Sequence, residues 1–177
     1  MGTDRAAAVR GALAGAAAAA VWWAQQPLDR RVFGVPYDDT ELLGKAVTRG
    51  PAARPLGVAM HLVNGALFGA AYARVAPRLP VPTWARGPLA GMAEHLATWP
   101  GTALSDRLHP ARDELPRLWG SAPAFAQATW RHLLFGLVLG ELERRLNPPA
   151  PLPSPPAFEA VVSANGHGDL HAVAAPG

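Results

Sequence analysis

Two pairs of apolar segments, the second echoing the first, constrain this chain more than any other feature. Aligning Arg10 with Arg86 sets "RGALAGAAAAAVWW" over "RGPLAGMAEHLATW". The two agree at Arg, Gly, Leu, Ala, Gly, Ala and Trp, and end on Trp23 and Trp99. Aligning His61 with His132 sets "HLVNGALFG" over "HLLFGLVLG", which share His, Leu and both glycines, and Arg74 then meets Arg145. Collinear matches in the same order are the mark of a duplicated unit. The apolar segments cover about 6–24, 55–74, 87–104 and 121–145. Each approaches the ~20 residues that cross ~30 Å of hydrocarbon as a helix. The expected fold is all-α: a transmembrane four-helix bundle made of two pseudo-repeated helical hairpins over residues 1–146. A segment with an internal copy reads as a fold element rather than a cleaved leader, although the small residues Ala18 to Ala20 mimic a cleavage site.

Composition agrees without deciding the matter. Half of the 177 residues are hydrophobic and 16% are charged, below the roughly 25% usual in soluble domains. Mean hydropathy is only +0.08, and the third and fourth segments carry charge, so a buried soluble bundle competes. No cysteine occurs, which removes disulfides, iron–sulfur clusters, thiolate zinc sites and cysteine nucleophiles. The net charge of +3 comes without a basic run interleaved with aromatics, so nucleic acid is not an expected partner. The lipid bilayer is, together with a second copy or another membrane protein. From Asn147 the chain turns Pro-rich and then small and polar, and residues 147–177 read as a disordered tail.

Each segment contains one GxxxG: Gly11/Gly15, Gly65/Gly69, Gly87/Gly91 and Gly136/Gly140. Four-residue spacing puts both glycines on one helix face, where backbones approach closely and dispersion replaces the hydrophobic drive that lipid does not supply. Codon bias towards Gly and Ala is the competing explanation. An even number of spans puts both termini and the central linker on one side. That linker, "RVAPRLPVPTWAR", holds three arginines and no acid, which favours cytoplasmic termini in a multi-pass protein of a bacterial inner membrane.

The candidate intramembrane polar site comprises His61, Asn64, Glu94, His95, Arg131 and His132, because ionisable groups in apolar spans face protein or water. His61 and His132 stand thirteen residues before Arg74 and Arg145, so they share a depth of ~20 Å from the inner boundary. Glu94 and His95 align with Ala18 and Ala19, which makes any site asymmetric. Three readings compete. In the structural one Glu94 pairs with Arg131 or a histidine, and the histidines bond to Asn64 and Gln127. In the second, the carboxylate and histidines handle protons or ions. In the third, His61 and His132 are axial ligands of haem or a metal, although no HExxH or ferritin-type ExxH occurs, and no cofactor is expected. Nothing resembles a nucleophile elbow, so no catalytic residue is assigned. The "SDRLHPARDE" cluster reads as a salt-bridged interfacial segment, and Trp22, Trp23, Trp99 and Trp119 as markers of the outer boundary.

The stretches "RGALAG", "HLVNGALFGAAYAR", "RGPLAGMAEH" and "WRHLLFGLVLGELERRL" resemble small four-helix bacterial membrane proteins of the YagU type. The resemblance implies an integral membrane location and no catalytic residue. The expected function is a non-enzymatic structural, assembly or stress-related membrane component. The alternative is a small transporter or proton/ion pathway using Glu94, His95, Arg131 and the His61/His132 pair.

Overall fold

The structure, a computed structural model, describes residues 2–148. The segment expected to form a disordered tail lies outside the described residues from position 149 onward. Among the described residues all regular structure is helical: α1 (Gly2–Phe33), α2 (Asp39–Lys45), α3 (Ala53–Val75), α4 (Thr83–Thr98), α5 (Gly101–Leu108) and α6 (Ala122–Leu146). A single 3₁₀ turn, Ala76–Arg78, follows α3. Two stretches, Asp4–Phe33 and Ala53–Arg78, are long and apolar enough to cross a membrane.

Boundaries differ from the sequence expectation for physical reasons. The 32-residue α1 runs past Pro27 to Phe33. Proline removes one i→i−4 bond, yet the apolar and polar faces continue in register beyond it through Leu28, Asp29 and Val32. Gly34, at φ 68°, ends the helix in the left-handed region, its amide bonding to the Arg30 carbonyl. The third segment is not one helix: α4 stops at Thr98, Pro100 stands at the break, and α5 leaves on its own. Helix α2 is capped by Asp38, whose carboxylate accepts from the Thr40 and Glu41 amides, and it ends at Lys45.

The four long helices pack in the spatial order α3, α1, α6, α4, each antiparallel to its neighbour. The α1–α3 and α4–α6 interfaces are made by glycine. A β-carbon at Gly15 would overlap the Gly65 carbonyl, and one at Gly69 the Gly11 carbonyl. Across the other pair, Gly87 faces the Gly136 carbonyl and Gly91 the His132 carbonyl at equally short range. The α1–α6 seam joins the halves. Ala14, Ala18, Trp22, Phe135 and Leu139 are buried there, and Asn147, at the end of the bundle where α1 begins, bonds to Arg10 and the Ala7 carbonyl.

Both hairpin loops form a joint cap at the other end. Lys45 bridges Glu41 and Glu114 at 2.5 and 2.8 Å, and Arg49 pairs with Asp113 and Glu114. His109 Nε2 donates to the Leu42 carbonyl at 3.0 Å while its Nδ1 accepts from the Ala111 amide. Val35, Tyr37, Leu118 and Ala124 make a small apolar core beneath.

Candidate functional site

The interior of the seam is polar. Arg131, fully buried, reaches from α6 into a set of acceptors on α1 and the cap. Its Nε and Nη2 fork onto Asp29 at 2.6 Å each, Nη1 meets Asp39 at 2.6 Å, and Nη2 also donates to the Tyr37 carbonyl at 3.0 Å. The guanidinium lies 5.1 Å from the centroid of the Tyr37 ring. Asp29 further accepts from Gln25 and Gln127, and Asp39 from Trp22 Nε1 and the Tyr37 hydroxyl. A bidentate fork with filled lone pairs is what a buried ion pair needs to offset its desolvation. Burial, with Asp39 adding to it, holds the Tyr37 phenol well above its usual range, so it stays a neutral donor. Two carboxylates against one guanidinium leave this cluster one negative charge in excess.

Of the two partners expected for Glu94, Arg131 or a histidine, Arg131 is taken up by Asp29 and Asp39, and a histidine is the one found. Glu94 meets His132 Nε2 at 2.7 Å. The other nitrogen of that ring, Nδ1, lies 2.7 Å from the Ala128 carbonyl, which can only accept, so Nδ1 carries a proton. The 2.7 Å contact between Nε2 and the carboxylate then needs one further proton. Glu94 and His132 share it.

His95, nearly fully buried, donates through Nε2 to Thr129 Oγ1 at 3.0 Å, whose own hydroxyl proton goes to the Phe125 carbonyl. Its ring lies 4.7 Å from His132 and 4.9 Å from Phe125, centroid to centroid. His61 donates through Nε2 to the Ala19 carbonyl at 3.1 Å, the position that aligns with His95 in the sequence repeat. Asn64 lies exposed on α3 and bonds to neither histidine, and Gln127 bonds to Asp29 and the Val35 carbonyl instead. Both His132 nitrogens and one of His61 are thus engaged by protein groups, which does not suit facing axial ligands.

Between α3 and α4, under the cap, lies an open cleft of about 570 Å³. His61, Asn64, Glu94 and His132 line it; His95 and Arg131 do not. Trp22, Phe135 and Phe68 form one wall of edge-to-face rings, with centroids 6.0 and 5.6 Å apart along the chain. Trp22 also sits edge-on to both His61 and His132, at 5.4 and 4.6 Å. Tyr37, Asp39, Leu42 and Leu118 close the capped end.

Asp29, Tyr37 and Asp39 escape the sequence reading of the site because they lie beyond the first apolar segment, which is expected to end near residue 24. A signal exists: Trp22, Gln25, Gln26 and Asp29 fall at helical spacing on one face. The arrangement defines an all-helical protein with a charged seam beside an aromatic cleft. No family model, no curated protein and no solved structure matches the chain.

Proposed function

We propose that this is a multi-pass protein of the bacterial inner membrane whose cleft forms a small transport or proton/ion pathway through His61, Glu94 and His132. The lipid setting is supported by an inverted distribution of polarity. Of the eight largest fully buried side chains, six are polar or charged, Arg131 and Asp29 among them, while Leu13, Leu28, Val32, Val63 and Leu67 are mostly exposed. A soluble core helix is mostly buried; only 39% and 28% of the two most apolar stretches are. The observation that carries the pathway reading is the cleft itself. A shared proton lies in its wall between α4 and α6, with the His61 imidazole of α3 in the same lining, in a cleft within the volume range of small-molecule sites.

The test is direct. Reporter fusions at Thr83 and Gly177 report the cytoplasm and one at Gly50 the opposite side. Proteoliposomes holding the native protein dissipate a pH gradient faster than those holding Glu94→Gln. Equal leak in both sinks the pathway.

A non-enzymatic structural component is the second reading. The exposed Leu89 and Leu96, seven residues apart on one face of α4, favour it by offering a contact surface to a second membrane protein. It predicts a co-purifying partner and no flux.

A further inference from the structure

The cleft has an electrostatic sign, and its walls have a chemistry. The carboxylate of Glu94 is the cleft's own charge, and the proton it shares with His132 makes that pair neutral overall. Loss of the proton leaves one negative charge in the wall. The other groups that face the pair do not compensate for it. His95 from α4 and His61 from α3 are each engaged as donors through Nε2, to Thr129 and to the Ala19 carbonyl, and α1 presents only the Trp22 ring. From the cap come the Tyr37 phenol and Asp39, while Arg131 on α6 turns away to Asp29 and Asp39 and leaves that cluster one negative charge in excess. Ser105 of α5 brings no charge. Beside the pair stand Trp22, Phe135 and Phe68, an aromatic wall that packs apolar bodies and whose ring faces attract cations. An anion would meet like charge on two sides.

We propose that the cleft binds a small apolar-bodied organic cation, a lipophilic amine or quaternary onium, in exchange for the proton shared by Glu94 and His132. One positive charge enters as one leaves: the cation pairs with the Glu94 carboxylate, the proton passes to water, and His132 keeps its Nδ1 proton on the Ala128 carbonyl. This deepens the pathway reading and rests on it, since it names the substrate class of that cleft. The opening between α3 and α4 gives such a molecule an entry from the side, where exposed Leu67 marks a lipid-facing rim.

The experiment uses the detergent-solubilised full chain, tetraphenylphosphonium as probe and tetraphenylborate as the probe of equal shape and opposite charge, with protein-free micelles subtracted. Equilibrium dialysis is expected to show tetraphenylphosphonium binding that tightens as pH rises. A pH indicator in weak buffer is expected to show about one proton released per cation bound. Both readouts are made on the native protein, so neither depends on a variant that folds. Glu94→Gln is expected to weaken binding about tenfold or more and to abolish the release. Binding that ignores pH, or that Glu94→Gln leaves intact, overturns the proposal. Equal binding of tetraphenylborate also overturns it, yet leaves an apolar-ligand cleft standing. No binding of either ion alongside a Glu94-dependent proton leak overturns the cation and keeps the pathway. Absence of both removes the two together.

Discussion

The residue on which most depends is Arg131. It is the fully buried cation that serves Asp29 and Asp39 at once, and removing one member of a buried pair leaves the others charged and dry. Arg131→Ala is expected to cost about 3–5 kcal/mol, read as a large drop in thermal unfolding temperature in detergent. Arg131→Lys is expected to rescue little, because a single ammonium cannot fork onto Asp29 and reach Asp39 as well. Asp38 supplies a pH-dependent counterpart. Burial by itself would raise its pKa, but the Thr40 hydroxyl, the Glu41 amide, the Arg30 guanidinium and the Thr40 amide together hold it below 3.8. A depressed carboxylate stabilises fully above its ordinary value and loses that contribution as pH falls through the lowered one. Acid below pH 3.8 is therefore expected to fray α2 first, seen as faster amide exchange over residues 39–45. Asp38→Ala should bring the same fraying at neutral pH, at a cost of about 1 kcal/mol.

At the scale of elements the decisive contacts are the two glycine interfaces. Gly69→Leu and Gly140→Leu each force a side chain into the opposite backbone, and overpacking of this kind costs about 1–3 kcal/mol or more. Both variants are expected to melt well below the native protein in detergent; unchanged melting of the pair would remove glycine contact as the basis of the fold. The α-helical class is legible in the sequence because apolar spacing and helix length speak directly to it, as in "PLGVAMHLVNGALFGAAYA". The ends are not. The first segment reads as ending near residue 24, yet α1 continues to Phe33 with Asp29 held by Arg131 and Gln127. Pro100 reads as part of a span, yet it divides α4 from α5. Of the polar site, Glu94 and His132 are legible as unusual residues in apolar stretches, while their mutual contact and the exclusion of His95 from the cleft depend on helix rotation, which spacing alone does not encode.

In the whole molecule, among the described residues, the seam buries charge at its capped end while large apolar side chains of the long helices face outwards. Its expected behaviour follows from that inversion. The full chain should sediment with membranes after high-speed centrifugation and stay there through a high-salt wash, leaving only with detergent. Recovery as a compact monomer in detergent-free supernatant would contradict the lipid setting outright.

The order in which the seam is completed has a cost during synthesis. Asp29 and Asp39 emerge from the ribosome early, about a hundred residues before the arginine that answers them. Until the last helix is released, the nascent chain holds two unanswered carboxylates. A product cut short at Gly120 would keep them permanently, and should be cleared by membrane proteases within minutes while the full-length chain accumulates.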